Sequence, residues 1–195
     1  MADTVLGGAP ARVGTPLRPW YIVAAAAGLA VMIAAILGTS LWFLDFVHVM
    51  TGALWTGIDL FMGFVIGPVL RHVSLDTRRA MIAGIIPRTL ILMPTLSIIT
   101  STSGWFLAER MGFLGAPFPQ FYWVVAALLI VTVLTVQGLG YLLPMNLKLY
   151  FEIQKPAPDH DKLKRWMRTY VRVVAVQGTM QILIIVVMAR FATGF

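Results

Sequence analysis

Residues 39–72 read TSLWFLDFVHVMTGALWTGIDLFMGFVIGPVLRH, and the fold turns on this stretch. It is long and apolar enough to cross a bilayer, which needs about 20 predominantly apolar residues. Yet it carries Asp45, His48 and Asp59. At about 3.6 residues per turn, Asp45, His48, Gly52, Trp55, Asp59 and Gly63 follow one another in steps of three or four, forming one stripe on one helix face. An ionisable group inside a span costs about 2.5–3.5 kcal/mol on insertion scales, so it is a functional candidate by default. The chemistry of the chain is therefore expected on this stripe.

Working outward, the whole chain has the same character. Hydrophobic residues make up 59% of it and charged residues 12%, and long apolar runs recur, which predicts an all-α, polytopic membrane helical bundle rather than a water-soluble domain. The formal net charge is +7, but Lys and Arg fall between the apolar segments instead of lining one face. That basicity reads as membrane topology and not as a nucleic-acid surface. The chain has no cysteine, which excludes disulfides, thiolate metal sites, iron–sulfur clusters and thiol catalysis within it.

Residues 1–19 are small, polar and rich in Pro and Gly, and are expected to form a flexible tail. Residues 20–195 are expected to form a single transmembrane domain with spans at about 20–38, 41–71, 85–108, 121–151 and 165–192. The first reads as a retained helix, with a signal segment as the alternative. Pro87 is expected in the first turn of the third span, and Pro94 inside it should bend it. Gly138, Gly140 and Pro144 interrupt the fourth. Residues 74–79 (SLDTRR) and 152–165 (EIQKPAPDHDKLKR) read as polar connections. Basic residues cluster before the first span and at the second–third and fourth–fifth turns, leaving only Arg110 and Arg190 on the other side. The N-terminus is thus expected in the cytoplasm and the C-terminus outside, in the inner (cytoplasmic) membrane.

This orientation places Asp59 near mid-membrane, level with Gln137 of the fourth span and Gln177 and Arg172 of the fifth. A lone carboxylate in lipid protonates or finds a partner, so a buried cluster of these four is expected. It would act as helix-to-helix glue or hold a proton. Nearer the outer end, Asp45, His48, Trp55 and the hydroxyls of residues 100–103 (TSTS) form a second cluster. His48 can move a proton or ligate a metal or haem iron. His72 lies about 36 Å further along the same helix, and His160 is in a connection, so two histidines of one chain cannot clamp one haem. Met32 is the second axial ligand available at that depth. His48 with Asp45 would be the copper pair, a hard and poor set for Cu(I).

Residues 48–57, HVMTGALWTG, resemble the first helix of a group of small membrane proteins that includes the HemJ-type protoporphyrinogen oxidases and the CopD copper-resistance family. In that pattern a His is followed seven residues later by Trp, then Gly, and the helix ends in an Arg-containing segment such as PVLRH. Arg88 and the following MPTLSIITSTSGWFL are similar to the next helix of the group. The likeness runs from Trp42 to Phe191. The HemJ-type enzymes carry Lys and His on the helix matching the fourth span, where this chain has Gln120, Phe121, Tyr122 and Trp123. Only His48, Trp55 and Arg88 therefore carry over.

The resemblance implies a haem- or porphyrin-associated, redox-supporting membrane protein. Its cofactor would be haem b or a porphyrin, with His48, Trp55, Arg88 and Met32 as candidate cofactor-binding residues and His48 and Asp59 as candidate catalytic groups. One alternative is copper uptake of the CopD type, with His48 and Asp45 as metal ligands. Another is a non-catalytic subunit, packed as a homo-oligomer or against other membrane subunits through Gly63-x-x-x-Gly67 and the aromatic residues Phe113, Phe118, Phe121, Tyr122 and Trp123.

Overall fold

The computed structural model describes residues 18–155 and 157–194. All but Arg18 and Pro19 of the expected tail lies outside these residues. Helix α1 (Pro19–Leu37) starts on a proline, which suits the first turn because its missing N–H has no helical partner there. Helix α2 (Leu41–Phe61) starts under Ser40, whose hydroxyl accepts the Phe43 N–H at 3.2 Å. It runs through a π-helical stretch, Met62–Ile66, into α3 (Gly67–His72). After α4 (Leu75–Arg110) comes α5 (Phe121–Thr135), which passes through a second π-helical stretch, Val136–Leu142, into α6 (Leu143–Ile153). Helix α7 (His160–Ala192) closes the chain. Among the described residues there is no strand. Five stretches are long and apolar enough to cross a membrane: Pro19–Leu37, Leu41–Leu70, Ala80–Arg110, Phe121–Ile153 and Asp161–Ala192. The protein is an all-α, polytopic helical bundle with the build of an integral membrane protein.

Two expected connections are shorter than the charge pattern suggests. Helix α4 begins at Leu75 instead of residue 85, so Pro87 sits well inside it and not in its first turn. The cause is a cap: the Ser74 hydroxyl accepts the Thr77 N–H at 3.2 Å and starts the helix within the polar stretch. Side chains near each proline then donate to backbone carbonyls. Arg88 Nη1 reaches Gly84 O at 2.8 Å, Thr89 Oγ1 reaches Ile86 O at 3.1 Å, and Thr95 Oγ1 reaches Ile91 O at 2.7 Å. Similarly α7 begins at His160, not residue 165, because Asp159 Oδ1 accepts the Lys162 N–H at 2.9 Å and Asp161 favours the first turn. At the other end of that connection Glu152 is buried, receives Lys155 Nζ at 2.8 Å, and accepts the Asp159 N–H at 3.3 Å.

Helix α2 packs chiefly on α4, α1 covers both, and α7 packs on α5 while touching α2. Met32, Ala35, Leu44, Val47, Ile99 and Leu107 form one apolar core among α1, α2 and α4. Lipid offers no hydrophobic gain for this contact, so close packing has to supply the stability, and small residues allow it. A Cβ on Gly28 would stand 3.2 Å from Ile99 Cδ1, and one on Gly52 would stand 3.3 Å from Thr100 Cγ2.

Arg110 ties the α1–α2 turn to the end of α4. Its Nη1 donates to Gly38 O at 2.9 Å and its Nη2 to Ile36 O, satisfying carbonyls at the end of α1 that have no helical donor. Arg110→Ala is expected to lower stability by about 1 kcal/mol, the cost of charged hydrogen bonds discounted for exposure. Detergent unfolding of the variant beside Arg190→Ala, which lacks this contact, checks it.

Candidate functional site

The expected stripe on α2 divides into two sites, because the helix has different neighbours along its length. Near the α1–α2 end His48 faces α4. Its Nδ1 lies 3.0 Å from Thr100 O. A carbonyl only accepts, so Nδ1 carries the proton and Nε2 holds the lone pair. Thr100 also donates through Oγ1 to Thr51 Oγ1 at 3.0 Å, and Thr51 donates to Val47 O at 2.7 Å. The expected hydroxyl-rich end of α4 is thus in place, although the bond to His48 comes from its backbone. Gly104 makes that bond possible. In a helix the side chain of residue 104 would lie over the carbonyl of residue 100, and a Cβ there would meet His48 Cε1 at 2.6 Å and Nδ1 at 2.9 Å.

The other residues assigned to this site are dispersed. Asp45 is exposed and lines a shallow, mostly apolar groove with Trp42, Phe46, Val49, Met50 and Ala53. It stands one turn before His48, near enough to act on the imidazole electrostatically, but it makes no part of the His48–Thr100 contact. Met32 is buried in the apolar core beside Leu44 and Val47. Trp55 is buried in a second apolar cluster with Leu96 and Leu134, where it packs helices together. Arg88 is exposed and donates through Nε to Tyr21 OH at 3.0 Å. It stands twelve residues, about 18 Å along α4, from Thr100. Among the described residues no three His, Cys, Asp or Glu side chains come together in a group that could hold a metal.

About 16 Å further along α2, Asp59 faces α7. Its Oδ2 accepts Gln177 Nε2 at 2.5 Å and Gln181 Nε2 at 2.7 Å. Gln177 belongs to the expected cluster, but Gln181 takes the place of Arg172, which is exposed. The signal for Gln181 was its spacing: four residues after Gln177 it lies on the same face one turn on. Gln137 donates to Val173 O, a turn below Gln177, at 2.5 Å, so it joins the layer through backbone and not through the carboxylate. Lower on α7, Tyr170 is bonded to Asn146 of α6 and lies near Asp59. Both π-helical stretches adjoin this layer: one begins three residues after Asp59 and the other contains Gln137. Widened turns of this kind recur where a helix serves a site instead of only a core.

Comparison of the chain with protein-family models, with characterised proteins and with solved structures yields no match.

Proposed function

We propose that the protein is a multi-pass protein of the cytoplasmic membrane, of the HemJ/CopD-like kind, that supports redox chemistry by holding a haem or porphyrin at His48. The observation that favours this is the hydrogen bond from His48 Nδ1–H to Thr100 O. A ligating histidine characteristically donates its second ring N–H to a carbonyl, which sets the tautomer and aims the other nitrogen at the metal. Nε2 of His48 would be the ligating atom. Met32, packed in the core beside Leu44 and Val47, would be the second ligand this chain could offer, unless a second copy supplied its own histidine. Arg88 is too far along α4 to meet a propionate of the same porphyrin, so its bond to Tyr21 is structural. Bound haem would supply one-electron redox chemistry, while His48 and Thr100 would hold it in place.

Protein purified from haem-sufficient cells is expected to show a Soret band that His48→Ala removes and Met32→Leu shifts. A preparation with no Soret band, or one in which His48→Ala keeps it, would sink the proposal. Copper is the weaker occupant of the same residue, since one imidazole with the hard carboxylate of Asp45 and no thiolate is a poor set for Cu(I). A subunit role is the second reading. The first π-helical stretch is open around Gly63, with nothing within 4 Å of an added Cβ, and Phe61 and Phe64 are exposed beside it. Native mass spectrometry in mild detergent should then reveal a partner or a dimer.

A further inference from the structure

The central layer carries an imbalance that helix packing does not explain. Gln177 is 3% exposed and Gln181 0%, and each spends its amide N–H on one carboxylate oxygen of Asp59. Yet the amide oxygens of both, and that of Gln137, are buried with no hydrogen-bond partner among the described residues. An unsatisfied buried acceptor costs about 1–3 kcal/mol, and glue between helices could use any residue that leaves none. A carboxylate flanked by two glutamines is, however, matched in both of its charge states. When Asp59 is ionised, two amide N–H groups point at it, as observed. When it is neutral, its O–H needs an acceptor, and half a rotation about the last torsion of either glutamine presents an Oε1 in nearly the same place. The orphaned oxygens are the unused half of that arrangement.

We propose that Asp59, held by Gln177 and Gln181, is a reversible proton-binding site in the middle of the membrane, with the glutamine amides turning to suit each charge state. One proton enters from water, forms the carboxyl O–H and is donated in a hydrogen bond to a glutamine oxygen; no other bond is made or broken. The surroundings leave this proton to Asp59. From α7 the titratable neighbour is Tyr170, engaged with Asn146 of α6, while Arg172 is exposed. Around Trp55, one turn before Asp59, the α4 residues Met93 and Leu96 are apolar, and Gln137 of the second π-helical stretch is turned to Val173 O. His48 is on α2 itself, about 16 Å away. This site is separate from the His48 site and stands or falls independently of it.

The test uses the full-length protein in phosphatidylcholine vesicles and infrared difference spectra between acid and alkaline buffer. The expected result is a protonated-carboxyl band that moves in D2O, accompanied by a change in side-chain amide bands. Asp59→Asn should lose both while remaining folded, since Asn keeps hydrogen bonds to both glutamines. Gln177→Leu/Gln181→Leu should move the carboxyl band to higher frequency, because the neutral acid has lost its acceptor. Gln181→Asn serves the same purpose if the double variant does not fold. The proposal is overturned by the absence of any difference band, by a band that survives Asp59→Asn, or by one whose frequency ignores the glutamines. Saturable sodium binding by calorimetry, lost in Asp59→Asn without a carboxyl band, would overturn it in favour of an alkali-ion site.

Discussion

Gly104→Ala is expected to lower stability by roughly 2–3 kcal/mol, mostly from overpacking, which costs about 1–3 kcal/mol. The added methyl would stand 2.6 Å from His48 Cε1, a distance no carbon pair sustains, so the imidazole or the whole α2–α4 contact must move. The ring is tethered through Nδ1 to Thr100 O, and moving it breaks that bond, a further loss near 0.6 kcal/mol for a typical interhelical bond in a membrane. Gly104→Val should be worse, since two further methyl groups enter the same space. Gly57→Ala is the control, because nothing lies within 4 Å of its added Cβ and Ala favours helix by about 1 kcal/mol. Unfolding by a denaturing detergent measures all three. Equal midpoints for Gly104→Ala and wild type would show that α2 and α4 are not held in this register. If His48 ligates haem, Gly104→Ala should also weaken the Soret band without touching the ligand.

The second large effect separates losing one partner from losing all of them. Asp59→Leu removes a carboxylate whose insertion costs about 2.5–3.5 kcal/mol, but it leaves two buried amide N–H groups with no acceptor, at about 1–3 kcal/mol each. Asp59→Asn removes the same charge and keeps the hydrogen bonds. The difference between the variants therefore cancels the charge term and isolates the amides: Asn is expected to be the more stable by about 2 kcal/mol or more. The triple variant Asp59→Leu/Gln177→Leu/Gln181→Leu should regain most of that loss, because replacing every member of a buried polar group is close to neutral whereas removing one is not. Equal stability of the Leu and Asn variants would mean that the glutamines find other partners. The amide layer would then contribute nothing to holding α7 on α2.

Much of this layer is legible from residue identity and depth alone. Asp59 and Gln177 come together as their positions along antiparallel spans require, since a buried carboxylate must find a donor at its own level. Depth does not say which face α7 turns inward. Arg172 shares the level but sits on another face of the helix, while Gln181, a turn further on, sits on the face that Gln177 sets. Similarly, the TSTS run marks α4 as the neighbour of His48. That Thr100 contributes its carbonyl, and that Gly104 is the residue which lets the ring reach it, depends on an interhelical distance that no single helix encodes.

The amino-acid sequence alone determines the class of this molecule. Its apolar runs, too long and too uncharged for water, set five spanning helices, and the ionisable residues of α2 mark the helix that bears the polar sites. Those properties are local, since hydropathy and helical period follow from neighbours in the chain. The tertiary structure decides the partners. Serine and aspartate caps outweigh the charge pattern in setting where α4 and α7 begin, and glycine contacts set how near α2 comes to α4. The orientation of α7 chooses Gln181 over Arg172 for Asp59. In a membrane, where burying apolar surface does not discriminate between one helix face and another, close packing and hydrogen bonding make that choice, and both exist only between helices.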